Sequence, residues 1–297
     1  MTSVLYDVPG PKARLYSLLG SVAGIIIIVA VLAIAVLTLA QQGIFDADRW
    51  EIFYGSMAPD VWSLIGQGIL STLAAAAVAA IIAFPLGIAL CLLRISLIAW
   101  IRVPTQVVLE FLRGMPVVLM MLFVLLVFAT GQFTAVVAGL VLYNAAIFAE
   151  ILRAGIQSLP KGQREAGLAI GLRSFQSRMI IEFPQAVRRM LPSLVAQLVV
   201  LLKDTSLGYI VGYEELLRKI QIMADFLGPD FLFPAFFVGA AIYILINLSV
   251  SRIAIWIERR GSKKAAGGVA SAVKTVDLDV NAPAGADNKN IQNPDKK

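Results

Sequence analysis

Hydrophobic residues in this chain are gathered into long runs that carry no charge. Residues 15–45, 61–93 and 114–149 contain no Asp, Glu, Lys or Arg. A helix needs about 20 predominantly apolar residues to cross the hydrocarbon core of a bilayer, so each run is long enough to span it. The third run is too long for one helix, and a Thr-Gly-Gln turn at 130–132 divides it. We predict six spans, at about 18–40, 64–93, 103–129, 134–152, 191–211 and 231–256.

The first run has a competing interpretation, a secretory signal peptide. The apolar region of such a peptide covers only about 7–15 residues. Here the apolar run continues from Leu18 to Ala40 and ends in Gln41-Gln42. We therefore interpret it as a retained helix.

The composition agrees with a membrane protein. Of the 297 residues, 59% are hydrophobic and 15% are charged, whereas a soluble domain carries about 25% charged residues. The chain has no histidine and one cysteine, Cys91. These counts exclude an internal disulfide, a cysteine metal cluster and a His-dependent hydrolase site. In a membrane protein, the net charge of +6 indicates basic cytoplasmic loops rather than nucleic-acid binding.

The basic residues predict which side of the membrane each loop faces. The segment 153–189 carries seven basic and two acidic residues, whereas 41–63 carries one basic and four acidic residues. Because cytoplasmic loops hold the excess of Lys and Arg, we place both termini and 153–189 in the cytoplasm. The predicted divisions are a cytoplasmic N-terminus at 1–17, an extra transmembrane helix at 18–40, an extracytoplasmic loop at 41–63, a membrane core at 64–259 with a cytoplasmic loop at 153–190, and a cytoplasmic tail at 260–297. The tail lacks aromatic residues and is predicted to be disordered.

The cytoplasmic loop contains a polar, glycine-bearing stretch at 158–172. Leu159-Pro160 ends the preceding helix, and Lys161 begins a short new one. Its Gly167 and Gly171 weaken a helix by about 1 kcal/mol each, which suggests that another surface approaches closely there. The alternative is an amphipathic helix that rests on the membrane. Apolar residues at i, i+4 and i+7 predict a stripe formed by Leu168, Leu172 and Phe175.

Charged residues within a predicted span mark a candidate site, because they are costly in the bilayer. Lys203 and Asp204 follow an apolar run and precede Thr205 and Ser206. A Lys, an Asp and hydroxyl groups could recognise both the carboxylate and the ammonium group of an α-amino acid. The alternative is an internal salt bridge that holds helices together.

Two further charge pairs have helical i, i+3 spacing, Glu150 with Arg153 and Glu110 with Arg113. Glu150 is the deeper member of its pair and is a candidate for the pathway, whereas Arg153 is interpreted as a boundary charge. We interpret Glu110–Arg113 as a structural ion pair, with substrate gating by Arg113 as the alternative. Gly114 and Pro116, which follow Arg113, could break the helix and free backbone groups toward a cavity.

Five motifs occur in order along the chain and carry a family resemblance. Together they resemble the permease subunits of polar amino-acid ABC importers, over about residues 66–259. Within that family the chain is most similar to glutamate permeases of actinobacterial type. Two departures are Gly167, where members often have Ala, and Met115, where they often have Thr. The motifs are Arg113–Pro116, Ala149–Gly155, Ile156–Gln163, Phe183–Ala186 and Leu202–Leu207.

The resemblance implies the transmembrane domain of a type I ABC importer, whose core has five spans. With the helix at 18–40, which lies outside that core, the chain is expected to be an all-α, polytopic membrane protein with six transmembrane helices. It implies that the chain is a permease subunit, in a bacterial cell membrane, of an ATP-driven importer of a polar amino acid, glutamate first. The resemblance assigns ATPase coupling to the loop and a substrate pathway to the charged spans. The coupling residues are Gly162, Glu165, Ala166, Gly167, Leu168, Gly171 and Leu172. The pathway residues are Lys203, Asp204, Thr205, Ser206, Glu150 and Arg113.

The resemblance also implies a set of partners. These are an ABC ATPase subunit, a second permease subunit that is identical or related, an extracytoplasmic amino-acid-binding protein and membrane lipid, without nucleic acid. The chain has no Walker A pattern, so it is expected to be neither an enzyme nor a metal protein, and ATP and Mg²⁺ are expected on the partner ATPase. The competing function is an ion-coupled secondary transporter, although such folds usually show an internal repeat, and none is evident here.

Overall fold

The computed structural model describes residues 10–253 and 255–256. In these residues the backbone forms helices joined by turns, with no β-strand, so the predicted all-α class is confirmed. The predicted N-terminal segment 1–17 is described only from residue 10, and the predicted tail 260–297 lies outside the described residues.

Helix α1 (Pro11–Gln41) contains the first predicted span and begins seven residues before it. Its 31 residues measure about 46 Å at 1.5 Å per residue, which exceeds the roughly 30 Å of a bilayer core. Its central apolar stretch is entirely unburied. A helix that is apolar on every side and exposed on every side is suited to lipid.

Helix α2 (Ala58–Arg94) continues through Pro85 without ending. Close packing against another helix requires a glycine at position 87. A Cβ atom there would lie 2.6 Å from the Cβ of Phe148 and 3.0 Å from the carbonyl oxygen of Ala145. Any larger residue at position 87 would push these two helices apart.

The predicted third span, 103–129, is not one helix. It is formed by α3 (Ala99–Gly114) and α4 (Val117–Val127), which meet at 101°. Met115, between them, is extended with φ −87° and ψ 130°, the conformation that a following proline favours. Pro116 therefore breaks the helix. Among the described residues, five helices are long and apolar enough to cross a membrane, and this bent pair supplies the sixth if it is counted as one span.

Three more helices follow, α5 (Gln132–Gln157), α6 (Lys161–Ala169) and α7 (Phe183–Asp204). A π-helical turn, Arg178–Glu182, leads into α7, and a 3-10 helix, Thr205–Val211, follows it. The predicted fifth span, 191–211, therefore begins earlier than expected. Pro184 is the second residue of α7, just after the π-helical turn.

Helices α5 and α7 are antiparallel. A Cβ on Gly155 would contact Met190 and the carbonyl oxygen of Ala186, and further along the Nε2 of Gln197 donates to the Oδ1 of Asn144 at 2.8 Å. As the residue number rises on one helix, it falls on the other. Fully buried side chains between the helices form the core; among them are Ala83, Leu140, Phe148, Leu152 and Leu201.

The chain divides into two compact units, one of Met1–Ser71 with Glu214–Ile242, the other of Thr72–Tyr213 with Tyr243–Lys297. The first unit contains α8 (Leu216–Leu227), a helix between the fifth and sixth predicted spans that the hydrophobic runs did not predict. It is followed by α9 (Pro229–Ile253), which continues into the second unit. The fully buried Glu215 caps α8 by accepting hydrogen bonds from the Leu217 and Arg218 N–H groups, each at 2.9 Å.

Candidate functional site

Helix α6 is a short helix with a well-defined end. Ile170 and Gly171 follow its last turn, and Gly171 has φ +86°, a conformation that favours glycine. The N–H of Leu172 donates to the carbonyl of Gly167 at 3.1 Å, and the N–H of Gly171 donates to that of Leu168 at 3.0 Å. This pair of bonds is a Schellman motif, so Gly171 is explained by the turn itself.

Gly167 has a separate role inside the chain. It is buried, and a Cβ there would lie 2.5 Å from the Oγ of Ser177 and 2.9 Å from the Cδ1 of Ile181. The close approach that the glycines suggested is therefore made, at this residue, by the segment that leads into α7. By contrast, a Cβ on Gly162 or Gly171 would meet nothing within 4 Å.

The predicted apolar stripe does not lie on one helix, because α6 ends at Ala169 and Phe175 belongs to a separate turn, Ser174–Ser177. The structure instead clusters apolar side chains around the Schellman turn. Leu168, Ile170 and Phe175 are 44%, 76% and 60% exposed, whereas Leu172 is half-buried. The sequence reading missed Ile170 because it falls between the predicted stripe positions. Other predicted coupling residues are exposed on α6, namely Gly162, Glu165 and Ala166.

Polar contacts tie α6 to its own loop and to α7. The Nη2 of Arg164 donates to the Oγ of Ser174 at 3.1 Å, and the Nε2 of Gln185 donates to the Oε1 of Gln163 at 3.1 Å. Together with the packing of Gly167, these contacts join α6 and α7 mechanically.

Glu150 lies between two arginines. Its Oε1 is 2.5 Å from the Nη2 of Arg153 and its Oε2 is 3.9 Å from the Nη1 of Arg113. The predicted Glu110–Arg113 pair is absent among the described residues: Glu110 accepts a hydrogen bond from Gln106 at 2.7 Å, and Arg113 turns to α5. The break at Pro116 places the end of α3 beside α5, which the i, i+3 spacing could not indicate.

Lys203 and Asp204 are located where α7 changes to the 3-10 helix. Lys203 is exposed and Asp204 is half-buried, and neither side chain has a hydrogen bond or an ion pair within the described residues. The hydroxyls of Thr205 and Ser206 donate to the carbonyls of Leu202 at 2.6 Å and Lys203 at 2.9 Å. These hydroxyls stabilise the helix end, and the two charged side chains are left unpaired.

The six predicted pathway residues form two groups rather than one. The contacts between α5 and α7 set Lys203 near the level of Leu140, since Asn144 meets Gln197 and a Cβ on Gly208 would meet Val136. Glu150 is ten residues further along α5. At 1.5 Å per residue, the two groups are about 15 Å apart along the helix axis.

A buried polar pair between α5 and α7 was missed by the sequence reading. Asn144 is fully buried; its Nδ2 donates to the Leu140 carbonyl at 2.8 Å and its Oδ1 accepts from Gln197. An Asn and a Gln inside otherwise apolar spans are the signal that could have found it. The pair satisfies its own hydrogen bonds and fixes the register of the two helices.

Comparison with known proteins gives the same assignment as the motifs. Residues 83–263 match the family model described as "Binding-protein-dependent transport system inner membrane component". The chain is 41% identical over 230 residues to the glutamate transport system permease protein GluD of Corynebacterium glutamicum, covering 75% of this chain and 83% of the relative. It is 32% identical over 216 residues to the probable glutamine ABC transporter permease protein GlnP of Bacillus subtilis, covering 70% of this chain and 98% of that relative.

Solved structures have the same fold. The crystal structure of an amino acid ABC transporter with histidines shares 30% identity, with a TM-score of 0.63 over 69% of this chain and 97% of that one. The inward-facing MetNI methionine ABC transporter, at 19% identity and a TM-score of 0.52, covers 67% of this chain and 98% of its own, and supports the fold alone. The chain belongs to the family of inner membrane components of binding-protein-dependent transport systems, as a non-catalytic ABC permease subunit that works with a second permease and with a separate subunit that hydrolyses ATP.

Proposed function

We propose that this chain forms the membrane pathway for a polar amino acid in an importer and receives the ATPase stroke at α6. The observation that carries the proposal is the apolar cluster of Leu168, Ile170 and Phe175, exposed around a rigid turn that is tied to α7. Exposed apolar side chains on a rigid element are what a docking partner covers. An ion-coupled secondary transporter would have no use for such a surface.

Glutamate is the substrate that we propose. The relatives whose names give a substrate are named for glutamate, glutamine, aspartate or asparagine, and a glutamate permease is 41% identical to this chain. An amino acid of this class carries an α-carboxylate and an α-ammonium group.

Lys203 and Asp204 are the pathway charges that we propose contact the substrate, because neither side chain forms a hydrogen bond or an ion pair with another group in the described residues. Glu150 is already neutralised by Arg113 and Arg153, so we assign these three residues to holding α3 against α5. Thr205 and Ser206 keep the helix end in place, since their hydroxyl protons are donated to the backbone.

The remaining features complete the proposed importer. Both termini and α6 face the cytoplasm, because the segment 153–189 carries the excess of Lys and Arg that is typical of cytoplasmic loops. The second permease is identical or related, and an extracytoplasmic binding protein delivers the amino acid. ATP and Mg²⁺ are bound by the ATPase subunit, and lipid covers the apolar spans.

The test of docking is the change Ile170→Asp. A charge in the centre of an apolar contact should cost at least about 2 kcal/mol of binding, or roughly 30-fold in affinity. The ATPase subunit should then no longer co-purify with the tagged chain from its native membranes. Phe226→Asp is the matched control, an equally drastic change at an 83% exposed site on α8. Retention of the ATPase by Ile170→Asp would show that docking occurs elsewhere.

A further inference from the structure

A cleft of about 370 Å³ opens beside the start of α6, with every lining residue in the second unit. Its lining combines side chains from the end of α2, the start of α3, α5, α6 and the π-helical turn. The cleft is strongly basic, because these elements each contribute at least one cation. The basic lining residues are Arg94, Arg102, Arg153, Lys161, Arg164 and Arg178.

These positive charges are poorly neutralised. Arg153 is paired with Glu150, but Arg94, Arg102 and Lys161 have no hydrogen bond or ion pair within the described residues. Like charges gathered in a half-enclosed cleft repel one another, and an anion between them removes that cost. Guanidinium groups match phosphate oxygens in a bidentate geometry, so a phosphate group is the anion that this lining recognises best.

The cleft also contains one carboxylate. Glu182 is 6% exposed, and its Oε1 is buried with no hydrogen-bond partner in the described part of the chain. Buried polar atoms are normally satisfied, so this oxygen is suited to a donor from a ligand. An ionised phosphodiester offers no hydrogen-bond donor to this oxygen, whereas a hydroxyl group on the headgroup alcohol does.

Apolar side chains lie along the chain between two of the lining arginines, Arg94 and Arg102. Leu97, Ile98 and Trp100 are exposed there, at 61%, 56% and 90%. Exposed aliphatic and indole groups next to arginines are typical of the membrane interface, where the apolar groups enter the acyl region and the cations meet headgroups. A cationic cleft whose lining arginines flank exposed apolar side chains fits an amphiphile better than a soluble anion.

We propose that this cleft binds an anionic phospholipid with a hydroxyl-bearing headgroup, of the phosphatidylglycerol type. The phosphodiester lies among the basic residues, a headgroup hydroxyl donates to the Oε1 of Glu182, and the acyl chains follow Leu97, Ile98 and Trp100. We place this lipid in the cytoplasmic leaflet, and that placement alone rests on the proposed orientation of α6. The binding itself does not depend on transport or on the ATPase.

The test is native mass spectrometry of the full chain in detergent, titrated with defined lipids. Phosphatidylglycerol should bind at least tenfold more tightly than phosphatidylcholine. Arg94→Gln with Arg102→Gln should lower its affinity about 30-fold, at roughly 1 kcal/mol per basic residue. Arg188→Gln, an exposed arginine on α7 outside the cleft, should not change it. The single change Arg102→Gln, with about a fivefold loss, serves if the double variant does not fold.

Two further arms separate the sources of the phosphate and the role of the hydroxyl. Millimolar inorganic phosphate should fail to displace the lipid; efficient displacement would mean that the site takes free phosphate. Phosphatidylethanol has the same charge but no headgroup hydroxyl, so it should bind more weakly than phosphatidylglycerol. Glu182→Met should remove that difference. Equal affinity for phosphatidylglycerol in the double arginine variant and the wild type would overturn the proposal.

Discussion

Replacing Lys203 by Met should separate recognition of the substrate from stability. The Lys203 side chain is exposed and forms no hydrogen bond or ion pair within the described residues, so its removal should change the free energy of unfolding by at most about 1 kcal/mol, through the loss of its charge beside Asp204. If it donates a charge-assisted hydrogen bond to the substrate carboxylate, its loss should cost about 1.5–3 kcal/mol of substrate binding. That range corresponds to a loss of roughly 10- to 150-fold in uptake at low substrate concentration.

Glu150→Gln is the contrasting variant. It leaves Arg113 and Arg153 without their carboxylate, at a site where the three side chains are between a fifth and two fifths exposed. Exposed pairs contribute up to about 1 kcal/mol, and breaking a buried pair costs about 3–5 kcal/mol, so we expect a destabilisation of about 2 kcal/mol. Uptake per assembled complex should change little.

Uptake of labelled glutamate, glutamine and arginine into proteoliposomes, normalised to assembled transporter, measures the first effect. Thermal unfolding in detergent measures the second. Our assignment is refuted if Lys203→Met retains wild-type uptake and selectivity, or if it loses stability in proportion to transport. It is equally refuted if Glu150→Gln keeps its stability and loses uptake.

Three further predictions address coupling, pH and topology. Gly171→Trp should abolish transport-stimulated ATPase activity, whereas Gly171→Asn, which tolerates the left-handed backbone, should retain most of it; equal loss in both would indicate strain at the turn rather than blocked docking. Burial raises the pKa of Glu215 from 4.5 to about 7, against the opposing effect of the Leu217 and Arg218 N–H groups. Because the folded state binds the proton more tightly, the protonated carboxyl stabilises the fold at low pH, and this stabilisation is lost as the pH rises through 7. The drop in the free energy of unfolding from pH 5 to pH 8 should therefore be up to about 3 kcal/mol larger in the wild type than in Glu215→Gln, as measured by thermal unfolding. Identical pH profiles for the two proteins would contradict this. An impermeant thiol reagent applied from outside should label a cysteine at Asp48 but not one at Lys161, and labelling at 161 would reverse the proposed orientation.

The sequence by itself determined the membrane class, five of the six predicted spans and the family. The apolar runs, the distribution of Lys and Arg and the ordered motifs are local features, and each can be recognised within a few turns of chain. The short helix that begins at Lys161 was also predictable, because Pro160 precedes it and a glycine follows it. Helix α8 could have been found from the spacing of its buried Leu216, Ile220 and Met223, which repeats at i, i+4 and i+7.

Tertiary structure decided which residues meet. Arg113 pairs with Glu150 on another helix instead of its neighbour Glu110, because the break at Pro116 turns α3 toward α5. Gly167 packs against Ser177 and Ile181 of the same chain rather than lying open to a partner. Lys203 and Glu150 had the same signature in the sequence, a charge within an apolar run, but the structure sets them about 15 Å apart along the helix axis. Helical periodicity gives the face of a residue on its own helix, but its partner depends on the register and crossing angle between helices, and those are set by packing contacts between residues far apart in the chain.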